Sequence, residues 1–298
     1  MTSVVVVMAC HNRRDTTVQC LRSLAGQCPP DVSLRIVLTD DGSTDGTAAA
    51  ARAIWPGIHV VQGDGSLFWA KAMALAVSAA ENYDFLLWLN DDVVLDPGAL
   101  RCLLATHRVL ASSGQDPLVV GALRDPRTGT VTYSGVVRQS STRPTRFTKV
   151  APAHHPLAAD TMNGNLVLVP RNVVERVGLI DAEFHHGMAD FDYGLRAGAL
   201  GCTVWVAPGT LGTCAGNPVA GSHADPTLSG WARWRLMRAP KGLPPRSWLR
   251  FTRRHAGPLW PVYWLWPYLR LIVDGMLMRN RGRASRGPGS GPSHAARA

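Results

Sequence analysis

The stretch Phe85 to Pro97, FLLWLNDDVVLDP, decides how the chain is read. Its first five residues are apolar without a break, the pattern of a strand buried on both faces of a sheet. The run stops at Asn90-Asp91-Asp92. Carboxylates at the tip of a buried strand are costly unless a cation, a phosphate partner or water meets them. Oxygen donors fixed to a strand end suit a hard divalent cation, Mg or Mn, that also holds a diphosphate. The same three residues are ordinary turn formers, so a solvated turn explains them equally well. The neighbouring segments decide between the two.

Upstream, the unit repeats. Val4 to Ala9 is a β-branched run that reads as a central strand, and it ends in Cys10-His11-Asn12-Arg13-Arg14-Asp15. Val18, Leu21, Leu24 and Ala25 then recur at helical spacing. A strand–loop–helix opening invites a dinucleotide fingerprint, but this loop contains no glycine, which disfavours a Rossmann dehydrogenase. Leu34 to Leu38 is a second strand, ending in Thr39-Asp40-Asp41-Gly42-Ser43-Thr44-Asp45-Gly46-Thr47. Asp40 and Asp41 stand at a strand's carboxyl end, where open α/β sheets bind ligands. Asp45 or Thr44 reads as a cap for the alanine-rich helix that follows. His59 to Gln62 is a short third strand; Gly63-Asp64-Gly65-Ser66 then leads into Leu67-Phe68-Trp69 and a helix over Ala70 to Asn82. Two glycines beside an aromatic pair suit a loop lying against a flat ligand, although Phe68 and Trp69 read more readily as core than as a stacking platform.

Downstream, a helix is expected around Ala99 to Leu110, then meandering strands over 118–150. Met162-Asn163-Gly164-Asn165 precedes a strong strand, Leu166 to Val169. Its amides read either as a turn or as groups facing sugar hydroxyls. Phe184 to Gly201, FHHGMADFDYGLRAGALG, is a second chemical centre. Asp190 can cap a helix, and Asp192 with Arg196 forms an i,i+4 pair. A carboxylate opening a helix beside a glycine is also well placed as a general base. Trp205 to Ala207 is a further strand. The alternation of strand, polar carboxyl-end loop and helix gives an α/β fold, a mixed, mostly parallel sheet with helices on both faces.

Charge divides the chain. The net +10 conceals 17 Lys and Arg against 20 acidic residues over 1–230, and 14 against one, Asp274, over 231–298. Six of the ten tryptophans also fall after residue 230. Residues 258–278 are apolar but broken by prolines, which suits an interfacial segment with aromatics at headgroup level and arginines against anionic lipid. Packing against the body and, less well supported, nucleic-acid contact are the rival readings; no nucleic-acid motif is present. From Arg281 the Gly, Ser, Arg and Pro content reads as a disordered tail. The six cysteines show no zinc-like spacing, and no signal peptide or charge-free 20-residue apolar run occurs. Reduced thiols in a cytoplasmic protein are expected.

The four motifs, CHN at the end of the first strand, TDDGSTDGT, LNDDV and MADFDYGLR, stand in one order over residues 1–225. Together they resemble the family 2 inverting glycosyltransferases of GT-A fold, and GSLFWA with MNGN is similar to the rhamnosyl- or galactofuranosyltransferase-like subgroup. The resemblance implies a catalytic domain over 1–225, a basic tryptophan-rich extension over 226–280 and a tail over 281–298. It implies a nucleoside-diphosphate sugar donor and a divalent metal, Mg or Mn. The acceptor would be a glycan or lipid-linked hydroxyl met at the inner membrane face. Asp40 and Asp41 take the positions that contact base and ribose, and His11, Asn12, Gly65, Ser66 and Asn163 line the donor. Asp92 is implied as a metal ligand, with His223 as a second, and Asp91 lies nearer the ribose or sugar. Asp190 matches the base; Ala189 stands where relatives carry a glutamate, which leaves a role for Asp192 open. A sugar nucleotidyltransferase would want a glycine-rich loop after the first strand, and a scaffold that kept the fold without turnover is the non-catalytic alternative.

Overall fold

A computed structural model describes residues 1–27, 29–185 and 187–284, with side chains through residue 273. The opening half runs β1 (Thr2–Cys10), α1 (Arg14–Ala25), β2 (Val32–Asp40), α2 (Thr47–Ile54), β3 (His59–Gln62), α3 (Phe68–Ser78), β4 (Phe85–Leu89), β5 (Val94–Leu95) and α4 (Ala99–Ala111). It continues through β6 (Pro117–Arg124), β7 (Val131–Tyr133), β8 (Gly135–Arg138), β9 (Phe147–Lys149), β10 (Leu157–Ala159), β11 (Thr161–Met162) and β12 (Leu166–Pro170). Then come α5 (Arg171–Val177), α6 (Ala189–Ala199), β13 (Thr203–Thr213), α7 (Gly230–Arg238), α8 (Pro245–His255) and α9 (Trp260–Ala284).

The main sheet has the order β10-β13-β6-β12-β4-β1-β2-β3. Strands β3, β2, β1 and β4 pair in parallel, β12 lies antiparallel between β4 and β6, and β13 runs parallel to β6. Along this path only β12 and β10 oppose the common direction, so the sheet is mixed and mostly parallel. A small sheet, β11-β8-β9, lies beside it.

Alternate residues of the central strands feed two cores. Val4, Val6, Met8, Leu87 and Leu89 pack with Leu21, Leu24 and Leu103 from α1 and α4. Val5, Val7, Leu86 and Trp88 pack on the other face with Met73, Tyr193 and Phe251 from α3, α6 and α8. Helices on both faces leave no side of these strands wet, which is why they read as unbroken apolar runs. Truncating a leucine in either core to alanine would cost about 2–5 kcal/mol.

The basic segment after residue 230 is split in its role. Trp248, Phe251, Tyr268 and Leu271 are buried in the same core as Trp88, and Trp234 and Trp264 pack against it. On α9, Val262, Leu265, Trp266, Leu269, Ile272 and Val273 face solvent, as Trp231 does on α7. Residues 281–284 continue α9, whereas the remainder of the expected disordered tail, 285–298, lies outside the described residues. Among the described residues no helix is long and apolar enough to cross a membrane, and the five described cysteines are free thiols.

Candidate active site

Strand direction collects the motifs. In the parallel register Cys10 lies against Asp40 and Asp40 against Gln62, so the loops after β1, β2 and β3 leave the sheet side by side, with the loop after β4 next to them. β12 runs the other way and begins opposite the end of β4, Leu166 against Leu89. The loop before it, Asn163 to Asn165, therefore arrives at the same edge. Ligands in open α/β sheets bind outside this edge.

The first two loops are tied together. His11 donates Nδ1–H to the Asp41 carbonyl (2.5 Å), and its Nε2 accepts from the Asn12 amide (3.2 Å), which fixes the tautomer. Asn12, at φ 50, accepts from Thr44 N (2.8 Å) and takes its own N–H to Ser43 Oγ. Asp40 Oδ1 accepts from Ser43 N (3.0 Å). Asp45 accepts from the Arg14 and Thr47 backbones, so it joins α1 to α2, while Gly46 in the left-handed region takes the cap position itself.

Asp41 is turned inward. Its two oxygens accept from Gly65 N (2.8 Å), Leu67 N (3.0 Å) and Phe68 N (3.1 Å). This carboxylate shapes the Gly63–Phe68 loop that carries Gly65 and Ser66. A Cβ on Gly63 would lie 2.6 Å from Asp41 Oδ1, so only glycine permits the approach.

The tip of β4 carries a bridged carboxylate pair. Arg13 Nη1 donates to Asp91 Oδ1 and Nη2 to Asp92 Oδ2, both at 3.0 Å. Burial pushes the Asp91 carboxyl up to about 7, with Asp92 adding to the rise and Arg13 opposing it. Asp91 Oδ2 and the facing Thr17 hydroxyl are both buried without a hydrogen bond of good geometry. Asp92 keeps an opening to solvent and accepts from the Cys214 thiol (3.4 Å).

No group of three or more His, Cys, Asp or Glu among the described residues is placed to hold a metal ion. His223 follows β13 in a loop, where its carbonyl accepts from Arg233 Nε (2.9 Å). Two hard carboxylates, one with a buried unpaired oxygen, nevertheless suit a Mg or Mn ion whose shell substrate phosphates complete. The donor chemistry fits such an ion; Arg13 is the cation that stands there.

A chain of contacts joins this pair to Asp190. Trp69 Nε1 donates to the Asn90 side chain (2.8 Å), and the Trp69 ring lies over Gly164, where a Cβ would approach it to 2.7 Å. Gly164 N donates to Asp190 Oδ2 (3.0 Å). Asn163 is pinned the other way, its Oδ1 accepting from Ser134 N (3.3 Å). Asp190 is the second residue of α6, not its cap; Met188 holds the cap position at φ 72. The residue is half-buried and its carboxyl is enclosed. Burial raises it to about 6, against the pull of the Gly164 and Phe191 N–H groups.

Two residues further on, Asp192 points away, as helical geometry requires. It is fully buried, and its oxygens accept from Arg196 Nε (2.8 Å), Arg254 Nη1 (2.5 Å) and His255 Nε2 (2.8 Å). Arg250 and Arg254 also hold Asp181. Asp192 thus clamps α8 to α6, and its pairing holds its carboxyl below the ordinary value even though burial pulls it up. Arg13, Arg254 and His255 are contributors that sequence reasoning did not single out for the site, and Trp69, weighed there as core or stacking platform, contributes through its Nε1–H to Asn90. Arg13 had a visible signal, a cation within two residues of CHN. For Arg254 and His255 there was none beyond the basic run.

Comparison with known proteins bears on the family and the fold. The profile of Glycosyl transferase family 2 matches residues 5–155, just over half of the chain. The N-acetylglucosaminyl-diphospho-decaprenol L-rhamnosyltransferase of Mycobacterium tuberculosis (strain CDC 1551 / Oshkosh) is 28% identical over 207 residues. That match covers 60% of this chain and 64% of the relative, so it spans less than two thirds of the relative's length. In fold, the chain is similar to the mannosyltransferase PcManGT from Pyrobaculum calidifontis, solved with GDP-Man and Mn2+. There the TM-score is 0.57 at 18% identity, covering 96% of this chain and 76% of that one. GalNAc-T7, solved with UDP, GalNAc and Mn2+, superposes with a TM-score of 0.57 at 16% identity, over 70% of this chain and 43% of that one. With the GT-A-like sheet and the order of its loops, the profile match means that the chain belongs to glycosyl transferase family 2.

Proposed function

We propose that the protein is an inverting glycosyltransferase that moves a sugar from a nucleoside-diphosphate donor to a hydroxyl of a lipid-linked or glycan acceptor. The observation that carries this reading is the continuous path Asp91/Asp92–Asn90–Trp69–Gly164–Asp190 across one edge of the sheet. Asp40, Asn12, Gly65 and Ser66 would receive the nucleotide, with His11 and Asp41 holding their loops in place. Asp91 and Asp92 would hold a divalent cation, and His223 would join them from the loop that begins at Cys214, already in contact with Asp92. When bound, that cation would neutralise charge on the departing diphosphate.

Asp190 has the chemistry of a base. Raised to about 6, its carboxyl is ionised at neutral pH yet basic enough to draw a proton from an acceptor alcohol. The acceptor oxygen then bonds to the anomeric carbon as the bond to the diphosphate oxygen breaks, the proton remaining on Asp190. Attack opposite the leaving group inverts the anomeric centre, the single-displacement logic of inverting glycoside hydrolysis with an alcohol in place of water. Asp192 has no free oxygen for such a role.

The name of the mycobacterial relative suggests a deoxyhexose donor and a sugar-diphospho-lipid acceptor. Exposed apolar residues of α9 beside an arginine-rich segment support residence at the cytoplasmic face of a membrane. We divide the chain accordingly into a catalytic part, 1–225, and a membrane-proximal extension, 226–280. Asp190→Asn should lower transfer by about 10²–10⁴-fold while nucleotide binding persists. The product's anomeric configuration, read by NMR, should be opposite to the donor's. Unchanged turnover would remove Asp190 as the base.

A further inference from the structure

At the end of the site nearest α6, a groove of about 690 Å³ opens between α7 and the start of α8. Its lining holds Arg235, Arg238 and Arg246, the tryptophans Trp231 and Trp234, and His185, and it includes no carboxylate. The three arginines are exposed, and among the described residues none forms an ion pair; Arg238 lies over the Trp234 ring (5.9 Å). Arg250 and Arg254, a turn or more along α8, are by contrast bound to carboxylates. The segment thus uses its far arginines to pack and leaves its near ones unspent.

The groove is tied to the catalytic edge. The His185 carbonyl accepts from Ala70 N (3.3 Å), next to Trp69, and its ring meets the edge of Phe68 at 6.2 Å. His185 precedes Asp190 by five residues on the same loop and helix. On its other side α7 packs against α9 through Trp234 and Tyr268 (6.0 Å), and α9 turns Leu265, Trp266, Leu269 and Ile272 to solvent. From Asp190 outward, then, come a half-buried aspartate, a cluster of unpaired guanidinium groups between indoles, and an apolar helix face.

We infer that this groove binds the diphosphate of a polyisoprenoid-diphosphate acceptor, with the isoprenoid chain running onto the exposed face of α9. The inference deepens the proposed function and rests on it for the position of the acceptor hydroxyl. The two anion sites differ in kind. The strand edge is acidic and takes a diphosphate through an added cation, whereas the groove is purely cationic and takes one directly. Guanidinium forks match phosphate oxygens bidentately. Indoles flank a junction that is apolar at one end and wet at the other.

The test uses the full chain and farnesyl diphosphate below its micellar concentration, with binding followed by tryptophan fluorescence and calorimetry. Inorganic diphosphate, farnesol and phosphatidylglycerol vesicles serve as the other arms. Farnesyl diphosphate should bind at least about tenfold more tightly than inorganic diphosphate or farnesol, since both parts of the groove contribute. The variant R235Q/R238Q/R246Q should weaken it by at least about 30-fold, while stabilisation by a nucleoside diphosphate with Mn is unchanged. Arg235→Glu alone, at an exposed position, repeats the test should the triple variant fold poorly. Equal binding by the variants, or inorganic diphosphate binding as tightly as the prenyl form, overturns the assignment. So does a loss confined to phosphatidylglycerol vesicles, which would make the groove a headgroup site. Farnesyl diphosphate bound by the parent and lost by the triple variant, with no nucleoside diphosphate bound by either, would leave the groove standing and sink the donor reading.

Discussion

Replacing Asp192 by Asn tests whether the basic extension is part of the fold. The side chain is fully buried, and two guanidinium groups and an imidazole contact it: Arg196 and, from α8, Arg254 and His255. Removing one member of a buried ion network costs about 3–5 kcal/mol because the partners are left uncompensated. Here the side chains of Arg196 and Arg254 are 21% and 31% exposed and can turn toward water, which favours the lower end, about 3 kcal/mol. At roughly 2–4 °C per kcal/mol for a domain of this size, the melting temperature should fall by about 6–12 °C. The pH dependence has a definite sign. Pairing lowers the Asp192 carboxyl below 3.8, so its contribution is complete above that value and is lost as pH falls through the lower, folded-state value. Scanning calorimetry of both proteins should therefore show a constant gap from pH 8 to about 5 that narrows in stronger acid. A variant that melts within about 1 °C of the parent at pH 7, or a gap that persists unchanged into strong acid, would refute the clamp.

Three further outcomes follow from the site. With Asp190 at about 6, kcat/KM should fall about tenfold per pH unit below that value and level off above it; a profile flat from pH 5 to 8 would contradict the assignment. Arg13→Gln takes the guanidinium off Asp91 and Asp92, so the nucleotide-free protein should bind Mn about tenfold more tightly by paramagnetic titration; unchanged binding would mean that Arg13 does not compete. Gly164→Ala would place a Cβ 2.7 Å from the Trp69 ring and 3.1 Å from the Asp190 Cβ. Transfer should drop by about 10²-fold through displacement of the base, and Gly216→Ala, where the nearest atom is 3.4 Å away, serves as the tolerant control.

The strands were the most legible part. Phe85–Leu89 and His59–Gln62 have the expected bounds; the first because a doubly buried strand is continuously apolar and ends where polar residues begin, the second as a short edge strand whose two valines lie between exposed polar ends. Helix starts were less so: α3 begins at Phe68, two residues early, because Asp41 draws the backbone of Leu67 and Phe68 inward from another loop. The convergence of the four motifs was legible from strand order and resemblance. What could not be read were contacts made across the fold. Arg13 reaches carboxylates 78 and 79 residues away, and Asp192 meets partners 62 and 63 residues on. No local periodicity encodes such pairs. The tryptophans after residue 230 share one composition, yet Trp248 is core and Trp231 is exposed, a division set by helix packing.

The reversal of β12 has an architectural consequence. Since β6 leaves the sheet at the ligand edge and β12 returns from that edge, everything between Asp125 and Asn165 forms an excursion that begins and ends in the same place. Such an excursion can be lengthened, shortened or exchanged without rethreading the strands that carry Asp40 and Asp92. A lineage could thus revise what is offered beside Asp190 while leaving the nucleotide half of the pocket as it was.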